Sequence, residues 1–293
     1  MKKLRFAIFG NTHQAKKSAC VQELIDKLNE HNATLLIDAA FYQYLTQKLH
    51  IVVNPEELIE DSVFDADFAI SLGGDGTFLE AARRVGDKGI PVFGINMGRL
   101  GFLADYQAED IASVIENIYN GSYRVEERTV LMVSKKNNDL EGYPYALNEV
   151  AVLKHDNSSM ISIDVWINGE FLTTYQADGL IANTSTGSTG YALSVGGPII
   201  VPGTKIIGLA PVAPHSLTVR PLTFSADAVI KMKVKSRSHN FLLSIDGRSE
   251  SSHENTTITI QRAPYTINVL KRGEGSFFRT LREKLMWGAD SRE

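Results

Sequence analysis

Hydrophobic positions over the first 125 residues alternate between short continuous runs and segments with apolar residues at helical spacing. The run at 6–9 is typical of a buried strand, and the spacing of Val21, Leu24, Ile25 and Leu28 predicts a helix. Further strands are predicted at 34–37, 67–72 and 91–95, and further helices at 78–85 and 111–119. Strands that alternate with helices favour crossover connections, so we expect a Rossmann-like parallel α/β domain over residues 1–125.

From about residue 128 the pattern changes to short strands that are separated by turn residues. Residues 162–167 alternate apolar and polar side chains, Asn168-Gly169 is typical of a tight hairpin turn, and residues 171–175 pair back. Further strands are predicted at 229–234, 241–245, 257–260 and 266–270. We therefore expect an all-β, sandwich-like domain over residues 126–274. A closing C-terminal helix at 277–287 and a tail complete the chain over residues 275–293.

The composition is that of an ordinary folded protein, and it argues against some kinds of binding partner. The 293 residues fit two domains of about 150 residues, or one large domain, and the net charge of −4 provides no basic field for nucleic acid. The single cysteine, Cys20, excludes an internal disulfide and a cysteine-based metal site, and fits a reducing compartment. Because no apolar run approaches the ~20 residues of a membrane span or suits a signal peptide, we expect a cytoplasmic protein without membrane or nucleic-acid partners.

The segment Gly73-Gly74-Asp75-Gly76-Thr77 lies between a predicted strand and a predicted helix. Glycines let the backbone turn sharply and approach a ligand, and the free amides at a helix N-terminus favour a phosphate. A carboxylate repels phosphate, so Asp75 indicates a group that accepts a proton or engages a hydroxyl. A turn whose aspartate caps the helix explains these residues equally well. The segment matches neither the P-loop nor the dinucleotide fingerprint, which argues against a P-loop phosphotransferase and an ordinary dehydrogenase.

Two further segments carry candidate binding chemistry. Residues 178–198 are rich in glycine and hydroxyl side chains, which can bond phosphate or ribose oxygens, although such a stretch is more often a plain loop. Asn148-Glu149, at the edge of a predicted strand, supplies an amide and a carboxylate that could read a ribose diol. Taken alone, this pair is a solvated strand end.

Together these segments resemble the NAD kinase family in their order and spacing, and residues 214–221 and 244–247 match further family segments. The resemblance covers roughly residues 5–270. The glycine-aspartate loop is shared with diacylglycerol and sphingosine kinases and distantly with phosphofructokinases, whereas the Thr-Gly-Ser-Thr stretch joined to the Asn-Glu pair is specific to NAD kinases. The resemblance implies ATP-dependent phosphorylation of the 2′-hydroxyl of the adenosine ribose of NAD, which gives NADP.

The resemblance also implies roles for residues of the first domain. Asp75 is the expected proton acceptor for the ribose 2′-hydroxyl, and Gly76 is an expected NAD contact. Gly73, Gly74, Gly76 and Thr77 form the expected phosphate loop. The sequence contains no metal-ligand cluster, so we expect Mg²⁺, or another divalent cation, to arrive on ATP with mainly oxygen and water ligands. Some family members use polyphosphate as the donor, and the sequence leaves that choice open.

For the second domain, the resemblance implies that Asn148 and Glu149 bind the nicotinamide-side ribose or the diphosphate region of NAD. The other expected NAD-binding residues, several of them lining the adenine and nicotinamide pockets, are Gln176, Asp178, Thr186, Thr189, Gly190, Tyr191, Ala192, Leu193, Ser194, Ala213 and Asp246. The chain departs from the family at three positions. Ser185 and Gly190 stand where the family usually has proline and alanine, and Gln176 stands where many members have a basic residue.

Two other functions compete with this hypothesis. A lipid kinase shares the glycine-aspartate loop and the two-domain layout, and assays with diacylglycerol and sphingosine separate it from an NAD kinase. A non-catalytic NAD(H)- or NADP(H)-binding sensor predicts tight binding without product, which the intact Asp75 disfavours. The resemblance further implies a homodimer or homotetramer in which the β domain makes the contacts.

Overall fold

The computed structural model describes residues 3–12, 18–98, 101–136, 140–155, 159–271 and 277–287. The chain divides into two compact units, one of residues 1–127 and 267–293 and the other of residues 128–266. The domains predicted from the sequence differ from these units at the C-terminal end. The prediction places residues 267–274 in the second domain and residues 275–293 in a separate segment. Residues 267–271 join the first unit because Val269 pairs in parallel with Val92. The predicted tail beyond residue 287 lies outside the described residues.

The first unit is built on a parallel sheet. Its strands are β1 (Arg5–Gly10), β2 (Thr34–Asp38), β3 (Glu57–Ile59), β4 (Phe68–Gly73) and β5 (Val92–Asn96), and its helices are α1 (Ser18–Glu30), α2 (Ala39–Gln47), α3 (Asp75–Val85), α4 (Ile111–Tyr119) and α6 (Phe277–Leu285). The strand order is β5-β4-β1-β2-β3, and the last part of β17 (Thr257–Lys271) pairs with β5. Apolar side chains of α1 and α4 pack on the sheet and form a buried core with it.

The order of these strands reverses between β1 and β4. From β1 the chain continues to β2 on one side, and from β4 it continues to β5 on the other. The carboxyl ends of β1 and β4 are adjacent, since Gly10 pairs with Leu72. In open α/β sheets, ligands bind beyond the carboxyl ends of the strands at such a switch point. The glycine-aspartate loop follows β4 directly and therefore lies at this point.

The second unit consists of two antiparallel sheets. The strands are β7 (Tyr145–Ala146), β8 (Glu149–Lys154), β9 (Ile161–Ile167), β10 (Glu170–Ala177), β11 (Gly179–Thr184), β12 (Ile206–Val212), β13 (Leu222–Ser225), β14 (Ile230–Lys235), β15 (Asn240–Ile245) and β16 (Arg248–His253), with the first part of β17 and most of β6 (Arg124–Lys136). One sheet has the order β10-β9-β14-β17 and the other β13-β12-β11-β8-β15-β16. Inward side chains of both sheets share one buried cluster, as in a sandwich.

The predicted fold class is confirmed by this architecture. The Asn168-Gly169 turn has positive φ at both residues and joins β9 to β10, as its sequence indicates. The strands predicted at 257–260 and 266–270 are one continuous strand, and α6 ends at Leu285, two residues before the predicted end. Among the described residues, no helix is long and apolar enough to cross a membrane.

Candidate functional site

The glycine-aspartate loop is a tight connection from β4 to α3. Gly74 stands at the N-cap of the helix, and its carbonyl accepts hydrogen bonds from the backbone N–H groups of Thr77 and Phe78, both at 3.1 Å. A Cβ atom at Gly73 would collide with the side chain of Thr77. Glycine at position 73 is therefore what lets the helix start directly against the end of the strand.

A cavity of about 400 Å³ opens at the switch point of the first unit. It is lined by Gly10 at the end of β1, by residues 11–12 that follow, and by Gly74, Gly76, Thr77 and Glu80 of the loop and α3. A Cβ atom at Gly74 or Gly76 would meet no atom within 4 Å, so both glycines face open space. The helix N-terminus carries free amides and a partial positive charge, which makes this cavity suited to an anion such as a phosphate.

The side chain of Asp75 reaches from the first turn of α3 to the loop that follows β5. Its Oδ2 accepts the backbone N–H of Phe102 at 3.0 Å, and its Oδ1 accepts those of Leu103 and Ala104 at 3.0 and 3.2 Å. The Lys284 ammonium of α6 lies 3.8 Å from Oδ2. These donors hold the carboxylate in one orientation, and the lone pair that remains on Oδ2 can still accept a proton or a further hydrogen bond.

In the second unit, Asp246 organises the backbone of the Asn-Glu pair. Its Oδ2 accepts the N–H of Leu147 at 2.7 Å, and its Oδ1 accepts those of Asn148 and Glu149 at 2.9 and 3.0 Å. Asp246 and Gly247 both have positive φ and form the two-residue turn between β15 and β16. Both carboxylate oxygens of this predicted NAD-binding residue are thus engaged with the chain itself.

Two oxygens of the Asn-Glu pair remain available in this arrangement. Asn148 Oδ1 and Glu149 Oε2 are enclosed, yet neither has a hydrogen-bond partner among the described residues. A Cβ atom at Gly190 would lie 2.9 Å from Glu149 Oε2 and 3.6 Å from Asn148 Nδ2. Glycine at position 190 therefore leaves space directly over both side chains, and the pair is not the solvated strand end that its sequence allows.

The carboxyls of Glu149 and Asp246 both titrate at higher pH than usual. Burial, followed by the charge of Asp246, raises the pKa of Glu149 to about 7, against a smaller opposing effect of the Tyr191 backbone N–H. Burial also raises the pKa of Asp246, although its three backbone hydrogen bonds and the charge of Arg248 act in the opposite direction. Near neutral pH, Glu149 is therefore close to half protonated.

The hydroxyl-rich segment is ordered by its own hydrogen bonds. Thr184 Oγ1 donates to the carbonyl of Leu147 at 2.6 Å and accepts the N–H of Gly187 at 3.1 Å. Ser188 Oγ accepts the N–H of Ile200 at 2.9 Å and donates to the carbonyl of Ser185 at 2.8 Å. These bonds stabilise a short 3-10 helix, Thr186–Thr189, and the following turn of helix α5 (Tyr191–Ser194). The segment is a framework packed on β8 and β11 rather than a plain loop.

Two of the other predicted NAD-binding residues, Asp178 and Gln176, have side-chain partners within the second unit. Asp178 forms an ion pair with Lys154 at 2.9 Å, and its backbone N–H donates to Val212, the neighbour of Ala213. Ala213 has a φ of 43°, a value that few residues other than glycine adopt. Gln176 Oε1 accepts a hydrogen bond from Ser162 at 3.0 Å.

The hydroxyls of Thr186, Thr189 and Ser194 bond nearby backbone or a buried cation. Thr189 donates to the carbonyl of Thr186 at 3.4 Å, and Ser194 to that of Tyr191 at 2.8 Å. Thr186 Oγ1 accepts a hydrogen bond from the buried Arg128 at 3.3 Å. Sequence reasoning missed Arg128, as it missed Lys284 and the three amides around Asp75.

The structure thus brings together one cluster in each unit. In the second unit, Asn148, Glu149, Gly190 and Asp246 are in contact, and the Tyr191 N–H bonds Glu149. In the first unit, Gly74, Gly76 and Thr77 line the cavity, and the Asp75 carboxylate lies against the backbone of residues 102–104. Within the described ranges, no group of three or more His, Cys, Asp or Glu side chains could hold a metal ion.

Models of two protein-family domains match the chain. The ATP-NAD kinase N-terminal domain matches residues 6–123, and the ATP-NAD kinase C-terminal domain matches residues 147–272. An NAD kinase of Bacteroides fragilis is 56% identical over 289 residues, which is 99% of this chain and 100% of that protein. An NAD kinase of Porphyromonas gingivalis is 42% identical over 99% of both chains.

Solved structures extend the likeness to the fold. A yeast NADH kinase complexed with NADH superimposes with a TM-score of 0.89 over 99% of this chain and 89% of that one. At 23% sequence identity, this likeness shows a shared fold only. An NAD kinase from Archaeoglobus fulgidus in complex with ATP has a TM-score of 0.75 at 25% identity, and covers 97% of this chain and 99% of that one. The predicted activity is confirmed, and the chain belongs to the NAD kinase family.

Proposed function

We propose that Asp75 accepts the proton of the adenosine ribose 2′-hydroxyl when the chain phosphorylates NAD. The ribose oxygen then attacks the γ-phosphorus of ATP, and the bond between that phosphorus and the β,γ-bridging oxygen breaks. ADP leaves, NADP forms, and the proton resides on Asp75. A general base of this kind contributes roughly 10²–10⁴ in rate, and the remainder of catalysis comes from positioning and from neutralising phosphate charge.

The orientation of the Asp75 carboxylate is the observation that carries this assignment. Three backbone amides on consecutive residues, Phe102, Leu103 and Ala104, hold it in one place. A cap of its own helix would instead leave the carboxylate facing the first turn of α3. Asp75 is flanked by Gly74 and Gly76, which line the cavity, and a base that is held in one orientation suits in-line transfer because the reacting atoms then need little further ordering.

We propose that the phosphates of ATP bind in the cavity at the switch point. Gly74, Gly76 and Thr77 of the phosphate loop line this cavity, and Gly73 packs against the side chain of Thr77. The N-terminus of α3 adds a favourable partial positive charge. The divalent cation, Mg²⁺ or another, is expected to enter with the triphosphate, whose oxygens are the ligands it prefers. ATP is the proposed donor, and polyphosphate is a second donor to assay.

For NAD, we propose that Asn148 and Glu149 bind ribose hydroxyls. Their two enclosed oxygens lack donors among the described residues, and a hydroxyl that donates to each removes the cost of leaving a buried acceptor unpaired. The resemblance to the family adds Gly76 and Asp75 to the NAD contacts, and a further set in the second unit: Gln176, Asp178, Thr186, Thr189, Gly190, Tyr191, Ala192, Leu193, Ser194, Ala213 and Asp246. Asp246 acts in this proposal by supporting the backbone of the pair.

Family resemblance also supports a homodimer or homotetramer, and the single cysteine supports a cytoplasmic location. Size-exclusion chromatography with light scattering measures the first of these, and fractionation of cells that express the protein measures the second.

The test is a coupled assay with purified protein, ATP, Mg²⁺ and NAD, in which an NADP-specific dehydrogenase detects the product. We expect NADP from NAD and no phosphorylated product from diacylglycerol or sphingosine in parallel reactions. Product from a lipid but not from NAD would favour the lipid kinase. Tight NAD binding without product, with ATP and with polyphosphate, would favour the non-catalytic sensor.

A further inference from the structure

The C-terminal helix α6 brings a cation to the carboxylate that we assign as the base. Lys284 Nζ lies 3.8 Å from Asp75 Oδ2 and 4.3 Å from the centre of the Phe102 ring. Leu281, three residues earlier and so on the same face of the helix, is buried at 4% exposure. The apolar contact of Leu281 and the placement of Lys284 therefore belong to the same docked face of α6.

Phe102 takes part in both contacts of this arrangement. Its backbone N–H donates to Asp75, and the face of its ring receives the Lys284 ammonium. Cation and carboxylate are thus held against the same residue, from two directions. A Cβ atom at the adjacent Gly101 would fall on Asp75 Oδ1, so the loop also confines the carboxylate on that side.

We propose that Lys284 is a positioning residue for phosphoryl transfer, which holds the Asp75 carboxylate in the orientation needed to accept the ribose proton. The inference rests on the proposed role of Asp75. Both side chains are about one-third exposed, with values of 30% and 32%, so solvent screens the pair and its contribution to stability is small. Its consequence is orientation, and small misplacements of a reacting group are costly in rate.

The test compares Lys284→Met, which keeps most of the length of the side chain and removes its charge, with Lys284→Arg, which keeps the charge. We expect kcat to fall about tenfold in Lys284→Met, with KM for NAD and ATP unchanged within about twofold, and to recover in Lys284→Arg. Arg279→Met is the matched control, because it removes a positive charge from the same helix. The ion-pair partner of Arg279 is Glu283 and not Asp75. Thermal unfolding of each variant shows whether α6 still docks.

A double-mutant cycle with Asp75→Asn separates this inference from the proposed function. If Lys284 acts through Asp75, Lys284→Met adds nothing further in the Asp75→Asn background. A higher KM for ATP with unchanged kcat in Lys284→Met would overturn the inference and make Lys284 a phosphate-binding residue. Additive effects in the double mutant would also overturn it. Wild-type turnover in Asp75→Asn alone would instead refute the role of Asp75.

Discussion

Asp246 and Glu149 are joined by two hydrogen bonds that run in opposite directions. Asp246 Oδ1 accepts the N–H of Glu149 at 3.0 Å, and the N–H of Asp246 donates to the carbonyl of Glu149 at 3.0 Å. The aspartate can do both because its φ of 48° turns the chain sharply after β15. The turn after one strand thereby fixes the first residue of the neighbouring strand, where the proposed NAD-binding pair lies.

Replacing Asp246 by asparagine is therefore expected to weaken both stability and NAD binding. The amide has one acceptor oxygen where the carboxylate has two, so a buried N–H group loses its partner at a cost of about 1–3 kcal/mol. We expect a lower unfolding temperature and a KM for NAD raised by about tenfold or more, with a smaller change in KM for ATP. Asp227→Asn is the control, since Asp227 is exposed and pairs with Arg262. Equal effects of the two substitutions would contradict the role of Asp246.

The raised pKa of Glu149 predicts a pH-dependent difference in stability from Glu149→Gln. Between its ordinary value of 4.5 and about 7, the folded protein keeps a proton on Glu149 that the unfolded chain has released. The stability of the wild type therefore falls as the pH rises through this window, and the loss is complete above it. Glutamine never carries the charge, so the variant escapes this loss.

Thermal unfolding of both proteins at pH 5 and pH 8 measures the effect. We expect similar unfolding temperatures at pH 5 and a higher one for Glu149→Gln at pH 8, by roughly 2–4 °C or more. Asp246, whose charge also raises the pKa of Glu149, stays in place in both proteins. A difference that is constant across pH would show that Glu149 titrates normally.

Alanine substitutions at two glycines of the hydroxyl-rich segment are expected to differ sharply. A Cβ atom at Gly190 would lie 2.9 Å from the end of the Glu149 side chain, which can move, and 3.2 Å from the Gly187 carbonyl oxygen. We expect Gly190→Ala to fold normally, with KM for NAD changed by no more than about threefold. A Cβ atom at Gly187 would overlap the backbone carbonyl of Asn148, which is held by the Thr184 N–H.

Gly187→Ala is accordingly expected to lose about 1–3 kcal/mol of stability and most NAD turnover, because the backbone of the Asn-Glu pair must shift. Thermal unfolding and NAD titration of both variants check the contrast. Equal tolerance of the two substitutions would mean that Asn148 is not fixed as described.

Features with a local signal could be predicted from the sequence. The parallel sheet follows from apolar runs that alternate with helical spacing, and the position of Asp75 after β4 follows from three glycines between a strand and a helix. The start of α3 was placed three residues late, at Phe78, because apolar periodicity begins there although the helix begins at Asp75. Strands β13 and β16 were not predicted because their residues are largely exposed and polar.

Features that depend on distant parts of the chain could not be predicted. The amides that hold Asp75 come from residues 27 to 29 positions later, and Lys284 comes from the C-terminal helix. Asp246-Gly247 carries the local signal of a hairpin turn, but its contact with Leu147 depends on β15 lying beside β8 in the sheet. No spacing along the sequence encodes these contacts, because the order of the strands determines them.

The most direct test of the account is the rate of NADP formation by Asp75→Asn, compared with wild type under saturating NAD, ATP and Mg²⁺. The asparagine keeps the size of the side chain but has one acceptor oxygen for the three loop amides, so we expect the variant to fold with a lower unfolding temperature and to bind NAD with similar affinity. Loss of the proton acceptor predicts a kcat lower by roughly 10²–10⁴. A variant that folds, binds NAD and forms NADP at the wild-type rate would contradict the central claim that Asp75 is the base.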